Sequence, residues 1–112
     1  MAIPTVGSVV LVPFPFSDLS QSKIRPALVL AGAGRGDWIL CQITSKPYAD
    51  ARAIRLEARD FAGGGLELTS YVRPGKLFTA NEELILEAVG NLHAEKVDSI
   101  LQAVAGLFVR PS

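Results

Sequence analysis

Trp38-Ile39-Leu40-Cys41-Gln42-Ile43-Thr44-Ser45 alternates with a period of two, and its reading decides the fold. Successive side chains of a strand point to opposite faces, so Ile39, Cys41 and Ile43 share one face and Trp38, Leu40, Gln42 and Thr44 the other. The first set is wholly apolar and predicts core. The second turns polar toward its end, which predicts that Gln42 and Thr44 reach a surface.

Working outward toward the N-terminus, Gly32-Ala33-Gly34-Arg35-Gly36-Asp37 has the glycine density of a hairpin turn. It lacks the Lys-Ser/Thr ending of a phosphate-cradling loop, and no helical pattern follows it. Ala27-Leu28-Val29-Leu30 before it reads as a strand, as does Ser8-Val9-Val10-Leu11-Val12, which Pro13 and Pro15 interrupt as at an edge or a strand end. Ser17-Asp18-Leu19-Ser20-Gln21-Ser22-Lys23 between them is polar enough for a solvated loop.

On the other side, Lys46-Pro47-Tyr48-Ala49-Asp50 predicts a loop, Ala53 to Leu56 a short strand, and Asp60 to Gly65, with Gly63-Gly64-Gly65, a turn region. Ser70 to Arg73 and Leu77 to Thr79 read as strand pieces divided at Pro74-Gly75, and Leu84 to Val89 as a last strand. Val97, Ile100, Leu101, Val104, Leu107 and Phe108 then recur at three- and four-residue spacing, the apolar face of a helix beginning near Ala94. About six short strands and one terminal helix predict a mainly β fold, a small antiparallel barrel or strongly bent sheet capped by that helix. Pattern alone leaves the strand order open.

Length and composition narrow the classes. The 112 residues give room for one domain spanning 1-112, and an apolar content of 49% with 20% charged residues fits a folded globular chain rather than a disordered one. Lys and Arg balance Asp and Glu at 11 each, so any nucleic-acid site has to be local. The lone Cys41 sits in an apolar run and reads as a small buried hydrophobe. One Cys and one His supply no metal-ligand spacing, and no cofactor motif is present. The N-terminal residues lack a signal-peptide pattern and no run approaches a membrane span, which predicts a cytoplasmic location and no membrane partner.

Three segments, Val10 to Leu19 (VLVPFPFSDL), Lys23 to Leu30 (KIRPALVL) and Cys41 to Ser45 (CQITS), together resemble the MazF/PemK toxin family. The similarity continues in matching order through Thr69 to Pro74, Lys76 to Thr79 and the helix. It implies an SH3-like barrel of MazF/CcdB type with a C-terminal helix. It further implies a homodimer that cleaves single-stranded RNA without a metal, is held inactive by a cognate antitoxin, and binds DNA together with it.

Metal-free RNA cleavage needs the ribose 2′-hydroxyl to attack phosphorus while cationic donors stabilise the phosphate oxygens. Arginine suits that task because its planar guanidinium stays charged and pairs bidentately. Arg25 matches the family's catalytic arginine, and Pro26 after it restricts its backbone to extended geometry. Thr44 matches the strand-end threonine whose hydroxyl can donate to a phosphate oxygen. Arg73 sits where some members carry a second arginine followed two positions later by an aspartate; here that position is Gly75, so the obvious general base is missing. Arg73, Lys23, Gln42 and Ser45 are the expected RNA contacts. Phe14 and Phe16 have two readings, base stacking and internal packing. His93 occupies the slot before the helix, where a cap role outweighs acid-base chemistry. Two other functions compete: a catalytically silent module that binds RNA or antitoxin, and inhibition of a protein target such as DNA gyrase.

Overall fold

The computed structural model describes residues 4–15 and 22–110. Within them the chain forms β1 (Ser8–Pro15), β2 (Ser22–Gly34), β3 (Asp37–Thr44), β4 (Ile54–Leu56), β5 (Phe61–Gly64), β6 (Ser70–Asn81), β7 (Glu87–Leu92) and α1 (Ala94–Gly106). All pairings are antiparallel, and the sheet runs in the order β4-β6-β3-β2-β1-β7-β5. This is a curled half-barrel carrying one C-terminal helix, the mainly β architecture expected from the strand pattern.

The β2 to β3 hairpin closes where the glycines predicted it. Gly34, Arg35 and Gly36 all hold positive φ, at 89°, 56° and 80°. Register shifts between Val29 and Ala31 and between Gly32 and Gly34 bend the same two strands, because an extra residue on one strand increases local twist. The curl divides the core into two clusters. One gathers Val9, Leu28, Cys41, Ile43, Leu56 and Val72 under Val97 and Ile100 of the helix. The other packs Val10, Val12, Val29, Leu40 and Ile85 on the opposite face, with Trp38 and Phe78 beside them. Cys41 and Ile43 are therefore core as expected, while Ile39 is only half-buried and Leu40, on the face expected to turn polar, is fully buried.

Four local expectations need correction. The first strand extends past Val12 to Pro15, and of the two readings of its prolines the edge is the one that holds, because β7 pairs with β1 only from Ser8 to Leu11. Beyond that point β2 is the one strand partner of β1 among the described residues, and a missing N–H is tolerated on the other side. Part of the glycine-rich turn is the edge strand β5: Gly64 has φ +66° against β7, and a methyl there would run into the Val89 carbonyl. β6 is continuous across Pro74-Gly75. The last strand is Glu87–Leu92, since Glu82–Leu84 forms a 3-10 turn capped by the Asn81 side chain accepting from Glu83 N at 3.0 Å. The helix face is as predicted up to Leu107; Phe108 lies past the helix end and is exposed.

Candidate nucleic-acid interface

Two Arg-Pro dipeptides flank β3, one on each neighbouring strand. Arg25-Pro26 lies in the regular β1 to β2 ladder, opposite Val12 and Leu11. The β2 to β3 ladder pairs Ala27 with Gln42, so two residues further along antiparallel strands Arg25 stands level with Thr44. Arg73-Pro74 is delivered differently. Val72 pairs with Ile43 and Leu77 with Cys41, so Gln42 alone faces the four residues from Arg73 to Lys76. That bulge turns Arg73 toward Gln42.

Arg73 is fixed at three points. Its Nε donates to Asp50 Oδ2 at 2.8 Å, its Nη1 donates to Gln42 Oε1 at 3.3 Å, and its own carbonyl accepts from the Cys41 thiol at 2.8 Å. The ion pair is sheltered, with side-chain exposures of 20% for Arg73 and 17% for Asp50. Asp50 Oδ1 in turn accepts from Arg52 N at 2.9 Å, closing a local Asx turn. The Arg73 hydrogen bond, assisted by the Arg52 N–H, holds the Asp50 carboxyl below the usual carboxylate range. Burial pushes the Cys41 thiol up to about 12, which makes it an inert hydrogen-bond donor rather than a nucleophile.

The two arginines open onto one cavity of about 650 Å³, lined also by Phe14, Lys23, Gln42, Ile43, Thr44, Ser45, Lys46 and Tyr48. All six residues singled out in the sequence, Arg25, Thr44, Arg73, Lys23, Gln42 and Ser45, line it. Arg25, Thr44 and Ser45 also line a neighbouring cavity of about 440 Å³ that reaches to Gly65, Glu67 and Ser70. With Ile43 they make up the lining shared by both. Among the described lining residues of the larger cavity, four are cationic and none is acidic, with Asp50 paired to Arg73 from behind the wall.

The Thr44 hydroxyl is already engaged: it accepts from Lys46 N at 3.1 Å and donates to Lys46 O at 3.2 Å. The N–H holds one lone pair in place, while the proton can turn from the carbonyl to an incoming phosphate oxygen. Phe14 meets Phe78 edge to face at 5.0 Å, which favours the packing reading, although it also reaches the cavity wall. Phe16 and the loop residues Ser17, Asp18, Ser20 and Gln21 lie outside the described residues. His93 is exposed at the N-cap position, but its side chain makes no cap hydrogen bond and it lines a separate cavity with Arg59, Asp60 and Lys96. Charges are mixed there, with Lys96 Nζ 3.7 Å from Asp60. Among the described residues no three His, Cys, Asp or Glu side chains converge to hold a metal ion.

Three residues here were not singled out in the sequence. Lys46 and Tyr48 sit in a loop whose polarity reads as solvation, and Asp50 finds its partner 23 residues away. Tyr48 is 81% exposed and holds φ +57°, a left-handed conformation uncommon for a bulky residue. Gly75 is exposed with open space where a Cβ would be, so the carboxylate beside Arg73 comes from the β3 to β4 loop instead.

The model of the PemK-like, MazF-like toxin of type II toxin-antitoxin systems matches residues 5–108. The chain belongs to this family. The expected membership of the MazF/PemK toxins thus holds over nearly the whole sequence, and solved structures carry the same fold. The MazE-MazF complex of Deinococcus radiodurans superposes with a TM-score of 0.75 at 21% identity, covering 96% of each chain. An endoribonuclease in complex with its cognate antitoxin, from a mycobacterial species, gives 0.70 at 18% identity over 100% of this chain and 99% of that one. The Mycobacterium tuberculosis toxin MazF-mt6 gives 0.65 at 18% identity, over 88% and 95%. No curated relative matches in sequence. Arg73 takes Asp50 as its ion-pair partner, while Gly75, two positions on, offers no side chain to it.

Proposed function

We propose that this member of the MazF/PemK family is a metal-independent endoribonuclease acting on single-stranded RNA. The observation that carries the reading is the cavity between the Arg-Pro junctions, which Lys23, Arg25, Lys46 and Arg73 line together with Thr44 and which no acidic side chain lines among the described residues. A polyanion with flexible, unstacked bases fits that surface: cations meet phosphates, and the exposed Tyr48 ring offers a stacking platform. Arg25 and Thr44 are the catalytic residues. Arg73, Lys23, Gln42 and Ser45 bind the RNA.

In the reaction the ribose 2′-oxygen bonds to the adjacent phosphorus as the bond to the 5′-oxygen breaks. The 2′ proton leaves to solvent and the departing 5′-oxygen takes one from solvent, giving a 2′,3′-cyclic phosphate and a 5′-hydroxyl end. Arg25 stabilises the charge on the equatorial oxygens, and Thr44, fixed by Lys46 N, donates to one of them. Positioning and electrostatic stabilisation carry the catalysis.

Residues 1-112 act as one domain in this reading. It works in the cytoplasm and pairs with a cognate antitoxin whose extended acidic segment competes for the same cavity; toxin and antitoxin bind DNA together. A homodimer covers apolar surface beside the second core cluster, where the 52% exposed Leu84 lines a cavity with Val12, Phe78 and Ala80; among the described residues no helix is long and apolar enough to cross a membrane.

The purified protein should cut mixed-sequence single-stranded RNA in excess EDTA, leaving 5′ ends that a polynucleotide kinase labels directly. Arg25→Ala should not. A wild type that cuts no sequence overturns the reading. Binding without cutting supports the silent module instead, which the absence of Asp, Glu or His among the described lining residues favours.

A further inference from the structure

We propose that Asp50 is a positioning residue for RNA cleavage, holding the Arg73 guanidinium against Gln42 so that its remaining N–H donors face a phosphate in the cavity. The proposal rests on the endoribonuclease reading above. Arg73 lines the cavity and Asp50 does not, so Asp50 can act only through the arginine. An arginine side chain has rotatable bonds enough to fold away from a phosphate, and each contact that fixes it removes that cost before RNA arrives. Asp50 Oδ2 takes Nε, Gln42 takes one Nη1 hydrogen, and three of the five N–H donors stay available for a bidentate grip. The carboxylate is itself anchored through Oδ1 by Arg52 N, and the Arg73 backbone by the Cys41 thiol, so both ends of the pair are held.

Two other roles for Asp50 make different demands. A general base needs a free oxygen facing the substrate, yet both oxygens are engaged and neither reaches the cavity wall. A purely electrostatic role has the opposite sign: a carboxylate lowers the positive potential of the site, so its removal by charge alone would tighten RNA binding and leave turnover intact or faster. Positioning predicts slower turnover even as the net charge of the site rises.

The test is a double-mutant cycle on kcat and KM for single-stranded RNA, with circular dichroism and thermal unfolding to confirm that each variant folds. Asp50→Ala should lower kcat about tenfold without raising KM, as expected for a misplaced charged donor. Asp50→Asn keeps one of the two acceptor oxygens and should fall between Asp50→Ala and wild type. In an Arg73→Ala background, Asp50→Ala should change kcat by less than about twofold, since the residue it positions is gone. Equal losses in the two backgrounds overturn the proposal, as does a faster Asp50→Ala enzyme or an Asp50→Asn enzyme as slow as Asp50→Ala. Those outcomes leave the endoribonuclease reading standing, whereas a wild type that cuts nothing removes both.

Discussion

Arg25-Pro26 and Arg73-Pro74 are the same dipeptide on the two strands that flank β3, yet the fold uses them differently. Proline gives both arginines an extended backbone. Arg25 then follows a regular ladder, with Val12 opposite it, and lines both cavities beside Thr44. Arg73 emerges from a bulge, lines one cavity, and is held by Asp50, Gln42 and Cys41. The difference teaches that a dipeptide fixes backbone direction and that register decides what the side chain meets.

The largest expected contrast is catalytic. Arg25→Ala should reduce kcat on the order of 10²- to 10³-fold, the scale of removing one donor from a charged transition state, and Arg73→Ala only about tenfold. Single-turnover cleavage of a defined RNA measures both. A larger loss at Arg73 would reverse the comparison and make the bulge the reaction centre.

A smaller contrast lies in acid. The folded Asp50 carboxyl titrates below its unfolded value, so the pair contributes its full stability above the unfolded pKa of about 4 and loses it as pH falls through the folded value. Thermal unfolding of the wild type should therefore fall more steeply below about pH 4 than that of Asp50→Asn, with parallel curves nearer neutrality. Coincident curves throughout would mean that Asp50 gains nothing from Arg73.

The smallest effect concerns Cys41. Its thiol is buried, raised to about 12 and committed to the Arg73 carbonyl, so thiol reagents should modify it only as fast as the protein unfolds. Cys41→Ala should cost about 1 kcal/mol of stability, measured by denaturant titration, and lower cleavage a few-fold through Arg73 while leaving the Arg25 contribution unchanged. Rapid labelling of the folded protein would contradict the burial that fixes the bulge.

Much of this was legible in the residues. The alternation of Trp38 to Ser45 placed Cys41 and Ile43 in the core, the glycines after Ala31 marked the hairpin, and the spacing of Val97, Ile100, Leu101 and Val104 gave the helix. Other features were hidden for physical reasons. Gly63 and Gly64 have no side chains to show a strand pattern, so β5 read as a turn. Pro74-Gly75 reads as a break, whereas pairing on both sides carries β6 through it as a bulge. Asp50 reads as loop polarity because its partner is remote in sequence.

Local chemistry alone thus determined which segments extend, which face of each is apolar, and that two arginines are held extended by the prolines after them, since these follow from side-chain period and steric restriction. Tertiary structure alone decided that β6 and β2 lie on either side of β3. That order, and the bulge opposite Gln42, bring Arg25, Thr44 and Arg73 to one cavity with Asp50 behind it, because strand neighbours are chosen by how the whole sheet buries its two faces.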